Sequence, residues 1–273
     1  MKLTKAKIAS FQRLVWDFYK DNKRDLPWRK TRDPYMILVS EVMLQQTQVN
    51  RVVQKYKEFT TRFPDFKILS EVPFSEVLRV WQGMGYNRRA LYLHRAALAI
   101  MREQKGVLPY NQEMLVKLPG IGVNTAGAIC AFAFNQPVVF IETNIRSVYI
   151  HEFFKDKDAI SDKDILVLID KTLDRANPRD WYYALMDYGA YLKKGFKNPA
   201  RRSLHHTTQS KFEGSDRQIR GSILRALIET ESLTIRRLLN RFAKKEEIRV
   251  QKILNDLNCE GFIKIEEDVI RLS

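Results

Sequence analysis

Leu118-Pro119-Gly120-Ile121-Gly122-Val123-Asn124-Thr125-Ala126-Gly127-Ala128 is the stretch on which the reading of this chain turns. A short apolar helix, Met114 to Leu118, runs into a Pro-Gly-x-Gly hairpin, and small residues open a second helix. Glycine admits backbone torsions that other residues resist and keeps side chains out of the turn. The first N–H groups of the second helix have no partner within it and point outward. They suit a phosphate held close to the main chain, a grip that positions a protein on DNA without reading its bases. A tight helix–helix connection, with glycines for packing, satisfies the same pattern. Further on, the apolar run Val138-Val139-Phe140-Ile141 ends in a carboxylate, Glu142, and another helical segment begins with Thr143-Asn144-Ile145-Arg146. A phosphate grip followed by a carboxylate is the arrangement expected of an enzyme that works on a nucleotide.

Three further blocks join the hairpin: NKRDLPWR (Asn22 to Arg29), SEVMLQQTQV (Ser40 to Val49), and GMGYNRRA (Gly83 to Ala90) with Leu93-His94-Arg95-Ala96-Ala97. Together they resemble the helix-hairpin-helix DNA glycosylases, the HhH-GPD superfamily, and within it the MutY-type adenine glycosylases. The resemblance spans roughly residues 5–192, and SEVMLQQTQ is its most specific element. It implies a mainly α, two-lobed helix-hairpin-helix glycosylase fold. One lobe would be residues 30–135, a helical module ending with the hairpin. The other would combine residues 1–29 and 136–192.

Residues 193–215 form a basic linker or loop, rich in Lys and Arg and broken by Gly195 and Pro199. Such a segment tracks phosphates or is a solvated connector. Residues 216–273 predict a separate winged-helix-like domain. Its first helix carries Ile219-Ile223-Leu224-Leu227. A second, begun by Ser232, carries Leu233-Ile235-Leu238-Leu239, and a third Ile248-Ile253-Leu254-Leu257. A hairpin around Glu267-Asp268 follows.

Removing a base breaks an N-glycosidic bond. The departing base needs a proton, and the sugar acquires positive charge, so one carboxylic acid and one carboxylate suit the work. The base must first leave the stack, which requires a pocket and a wedge. Glu41 lies in an almost wholly apolar run, Leu38 to Leu44. Burial there raises a carboxyl pKa, as a general acid requires. The resemblance places the catalytic acid at this position. It places the second carboxylate at Glu142, where the family has aspartate in a pattern like Asp-Gly-Asn-Val and this chain reads Glu142-Thr143-Asn144-Ile145. Glu142 also suits the cap of the following helix. Asn144 matches a residue that orients the carboxylate and the attacking water.

Asn124 stands where endonuclease III-type enzymes carry a lysine. Asparagine forms no Schiff base, so a monofunctional enzyme with water as final nucleophile is expected. The resemblance makes Gln46 and Tyr86 the residues that wedge into the duplex. Arg88 and the hairpin residues Gly120, Gly122, Val123, Asn124 and Thr125 would bind DNA as well. Trp28, Arg29 and Asn124 would line the base pocket.

The composition agrees with a polyanionic partner. The chain has 273 residues, a formal net charge of +15 and a pI near 9.7, and Lys/Arg clusters release counterions from nucleic acid. No apolar run is long enough to span a bilayer, and Met1-Lys2-Leu3-Thr4-Lys5 lacks a secretory h-region. Cys130 and Cys259 are the only cysteines. A reducing, intracellular setting follows: cytoplasm or nucleoid, or nucleus in a eukaryote. A monomer is expected. The four histidines (His94, His151, His205, His206) show no metal spacing. Members of the resembled family usually hold an iron–sulfur cluster through four cysteines. Here the first matching position is Lys193 and no cysteine lies between it and Ser215, so no cluster and no other cofactor is expected.

The resemblance, together with Asn124, implies a monofunctional glycosylase of base excision repair, acting on adenine opposite guanine or 8-oxoguanine. Two other readings stay open. One is a glycosylase for mismatched thymine or uracil, or for another damaged base. The other is a lesion-binding or regulatory protein without catalysis.

Overall fold

The structure, a computed structural model, describes residues 3–195 and 198–273. Phe196 and Lys197, part of the basic segment, lie outside the described residues. In chain order the helices are α1 (Lys5–Asn22), α2 (Pro34–Leu44), α3 (Val49–Arg62), α4 (Phe66–Glu71), α5 (Phe74–Trp81), α6 (Arg88–Glu103), α7 (Gln112–Leu115), α8 (Val123–Phe134), α9 (Thr143–Phe153), α10 (Asp162–Thr172) and α11 (Pro178–Gly195). The C-terminal region adds α12 (Asp216–Thr230), β1 (Ser232–Thr234), α13 (Ile235–Leu239), α14 (Glu247–Glu260), β2 (Ile263–Glu266) and β3 (Val269–Leu272). The mainly α fold class expected from the sequence is the one observed.

The chain divides into two compact units. One comprises Met1–Glu41 and Pro109–Thr208, the other Val42–Leu108 and Gln209–Ser273. These boundaries differ from those drawn on the sequence, which grouped the hairpin with residues 30–108 and set residues 216–273 apart. Packing explains the first difference. A Cβ on Gly127 of α8 would lie 2.7 Å from Phe140 Cβ, so the helix is in close contact with the segment before Glu142. Phe132 of α8 stacks on Tyr183 of α11 with ring centroids 4.4 Å apart. The hairpin's second helix thus belongs to the core of Phe11, Val15, Phe140, Ile145, Tyr149, Trp181 and Leu185.

In the second unit, α3 to α6 share a core with the C-terminal region. Phe262 meets Phe74 edge-on at 5.7 Å. Glu260 accepts from Arg88 and Arg220, each at 2.6 Å, and its carbonyl accepts from Arg95. The C-terminal residues form three helices and an antiparallel sheet of order β1-β3-β2, a winged-helix-like arrangement. The hairpin β2–β3 falls where the sequence put it. Ser232–Thr234 is a strand and not a helix start: Leu233 pairs with Ile270, and Thr234 caps α13 by accepting from the Arg237 N–H. Ile248, read as a core position, is 88% exposed because α14 turns Val250 inward in its place.

The basic stretch after α11 is partly structural. Arg202 donates to the carbonyls of Ile150, Phe154, Lys155 and Lys157, satisfying the C-terminal end of α9.

Candidate active site

The first unit gathers most of the chemistry-bearing residues named from the sequence. Glu142 is the N-cap of α9: its Oε1 accepts from the N–H groups of Asn144 (2.9 Å) and Ile145 (3.2 Å). These bonds fix the side chain at the start of α9. The Asn144 amide nitrogen lies 3.4 Å from Oε2. The capping and catalytic readings of Glu142 are therefore compatible, since one oxygen anchors the side chain and the other stays directed at Asn144. α11 closes on this turn. A Cβ on Gly189 would lie 2.2 Å from the Asn144 carbonyl oxygen, so only glycine allows the approach. Lys193, one turn further along α11, donates to Asn144 Oδ1 at 2.8 Å.

Glu41 sits near the C-terminal end of α2, flanked by Ile37, Leu38, Val39, Val42 and Met43, all buried. Burial pushes its carboxyl up to about 8; the Glu142 charge adds to the shift and Arg29 opposes it. The structure thus brings both carboxyl groups within electrostatic reach. A carboxylic acid still protonated near neutral pH is what general-acid work requires.

Arg29, assigned to the base pocket from sequence, has a buried side chain. Its guanidinium is forked onto Asp187 with two bonds of 2.7 Å and lies 4.5 Å from the Tyr183 ring centroid. Asp187 is 3% exposed and also accepts from Arg24. Burial acts to raise its carboxyl, but the two guanidiniums override that and hold it below the usual range. Trp28 is buried beside Arg29 in the short 3₁₀ turn Pro27–Arg29. Among the described residues, the buried Tyr183 hydroxyl and Arg29 Nε have no hydrogen-bond partner. Unsatisfied buried groups are rare and mark places where water or a ligand completes the bonding.

The hairpin presents a bare helix start. Gly120 has φ +77°, a torsion that favours glycine. Gly122 is the N-cap of α8 and offers no side chain to the first-turn N–H groups. A Cβ on Gly122 would meet nothing, so its small size leaves open surface next to those donors. Val123 is 64% exposed. Asn124 accepts from the Ile141 N–H at 3.3 Å, tying the hairpin to the apolar run that leads into Glu142. That bond gives Asn124 a positioning function besides the pocket and DNA roles assigned from sequence. Thr125 is half-buried in the first turn of α8.

Gln46 and Tyr86 belong to the second unit. Both hold positive φ, 53° and 47°, unusual for residues with side chains and a mark of functional loops. One buried side chain secures both loops. Arg89, 8% exposed, donates to the carbonyls of Val42, Met43 and Gln45 and the Thr47 hydroxyl on one side, and to the Met84 and Gly85 carbonyls on the other. Tyr86 is half-buried, and its hydroxyl accepts from Arg217 of α12 at 2.7 Å. Gln209 donates to Gln46 Oε1 at 3.3 Å. Arg88, assigned to DNA from sequence, is half-exposed and paired with Glu260.

Asp187, Tyr183, Gly189, Lys193 and Arg89 were not among the site residues named from sequence. A signal existed for Asp187, a lone carboxylate in the apolar run Trp181 to Leu192, and for Arg89, second of an Arg pair entering an apolar helix. Their partners lie far along the chain, which sequence spacing does not reveal.

Residues 39–171 match the family described as HhH-GPD superfamily base excision DNA repair protein, and the chain belongs to this superfamily. The relatives are more particular. The adenine DNA glycosylase of Mycolicibacterium smegmatis is 31% identical over 94% of this chain and 93% of its own length. That of Buchnera aphidicola subsp. Baizongia pistaciae is 34% identical over 68% of this chain, and the match spans only 53% of that protein. Among solved structures, a thermostable thymine-DNA glycosylase superposes with a TM-score of 0.62 at 27% identity, over 69% of this chain and 88% of the other.

Proposed function

We propose that this protein is a monofunctional adenine DNA glycosylase of base excision repair. The observation that carries the reading is the pair of unlike carboxyl groups: Glu41, raised by burial, and Glu142, bonded to two backbone N–H groups at a helix start. Glu41 gives its proton to a ring nitrogen of the flipped adenine as the C1′–N bond breaks. Glu142 faces the positive charge that develops on the sugar. Water, oriented by Asn144, adds to C1′ and passes its proton to Glu142. The hairpin N–H groups hold a phosphate of the same strand. Gln46 and Tyr86 fill the space left in the duplex. The relatives named above support adenine as the base.

The donor set for an iron–sulfur cluster does not fit this chain. Residues 193–215 contain no cysteine, and Cys130 and Cys259 belong to different units. We assign no step to such a group.

The test presents purified protein with duplexes carrying adenine opposite guanine or 8-oxoguanine, thymine or uracil opposite guanine, and matched controls. Free adenine, with the strand intact until alkali is added and no borohydride-trapped adduct, is the expected result. Thymine or uracil release would install the mismatch reading that the thymine-DNA glycosylase likeness favours. A trapped adduct would overturn the monofunctional assignment.

A further inference from the structure

We infer that Lys193 is a positioning residue for base release: it fixes the Asn144 amide so that the amide nitrogen faces Glu142, and it keeps a positive charge beside that carboxylate. The inference rests on the roles proposed above for Glu142 and Asn144.

Donor and acceptor chemistry forces the polarity of this chain of contacts. An ammonium has only donors, and a carboxylate has only acceptors. Lys193 Nζ is 2.8 Å from one end of the Asn144 amide, and Glu142 Oε2 is 3.4 Å from the other. The end toward Lys193 must therefore be the oxygen and the end toward Glu142 the nitrogen. Without Lys193 nothing in this arrangement holds the oxygen outward, and a flipped amide would set its oxygen against the carboxylate. The flipped state repels Glu142 and loses the donor that aims Oε2.

The same helix grips Asn144 twice. Gly189 and Lys193 lie one turn apart on one face of α11. Gly189 admits the Asn144 backbone and Lys193 takes its side chain. Asp187 and Tyr183, on the same helix, hold and stack on Arg29. α11 is thus the common support of both carboxyl neighbourhoods. The resembled family begins its cluster at the position of Lys193, whereas here the side chain turns back into the unit.

The charges around the ammonium are few. Burial lowers the Lys193 pKa, the Glu142 charge opposes that, and Arg146 adds to it. Arg146 is itself paired with Asp162 at 2.7 Å. Glu142 is the one acidic group acting on Lys193 among those that shape its titration.

The experiment measures single-turnover adenine release against pH for wild type, Lys193→Met, Lys193→Gln and Lys193→Arg, with melting temperature and duplex affinity in parallel. Lys193→Met should slow release near neutral pH by roughly tenfold, because the carboxylate and water are misplaced. Lys193→Gln keeps a donor and should lose less rate. Lys193→Arg keeps both donor and charge and should restore most of the wild-type rate, a rescue that a merely structural role would not give. Melting and affinity should stay at wild-type values throughout. Wild-type release in Lys193→Met, or an equal loss in Lys193→Met, Lys193→Gln and Lys193→Arg, overturns the inference. If wild type releases no adenine, the functional proposal fails first, and that outcome is separate from this one.

Discussion

Glu41→Gln is expected to bind substrate duplex with wild-type affinity and to release base at least about a thousandfold more slowly, the upper range for losing a general acid. The amide cannot deliver a proton, yet it fills the same space in α2. The variant also carries a stability signature. The folded-state pKa of Glu41, about 8, lies above the ordinary carboxyl value, so the native state binds more protons than the unfolded chain between the two. Stability therefore falls as pH rises through that window. The Gln variant, with nothing to ionise, should melt several degrees above wild type at about pH 8 and alongside it near pH 4, on the usual conversion of free energy to melting temperature. Equal melting at both values would contradict a buried, neutral Glu41. A near-normal rate would remove it from the mechanism.

The second large effect falls on Arg89→Ala. This guanidinium holds five backbone carbonyls and the Thr47 hydroxyl, and it lies 5.4 Å from the Trp81 ring. Removal leaves those acceptors buried and unpaired, at a cost of roughly 3 kcal/mol or more. The loops carrying Gln46 and Tyr86 would relax from positive φ, so preference for mismatched over matched duplex should drop together with melting temperature. Arg89→Lys supplies a single nitrogen in place of a fork and should recover only part of either. A stable Arg89→Ala protein with full discrimination would show that these loops are set by other means.

The parts of the site that were readable from sequence are those encoded locally. The apolar run around Glu41, the hairpin glycines and the cap at Glu142 each announce themselves within a few residues. The winged-helix-like region was readable from helix spacing and the Glu267-Asp268 turn, except that Ser232–Thr234 was taken for helix. Three residues carry little strand signal when their only partner, β3, lies at the far end of the region. What stayed hidden was non-local. Asp187 meets Arg24 and Arg29 across more than 150 residues of chain, and Lys193 meets Asn144 across 49. The grouping of the C-terminal region with residues 42–108 depends on Phe262 and Glu260, neither distinctive in sequence. A truncation after Glu213 would therefore uncover Phe74 and unpair Arg88, where a freestanding domain would have been removed cleanly.

The central claim is that a protonated Glu41, with the Glu142 side chain facing the sugar, releases adenine. It is tested most directly by the rate at which free adenine leaves a duplex carrying adenine opposite 8-oxoguanine, measured in single turnovers across pH. The account predicts adenine release that is sustained at neutrality and falls away above about pH 8, as Glu41 loses its proton. No adenine release, or a rate still climbing well above that pH, would contradict it.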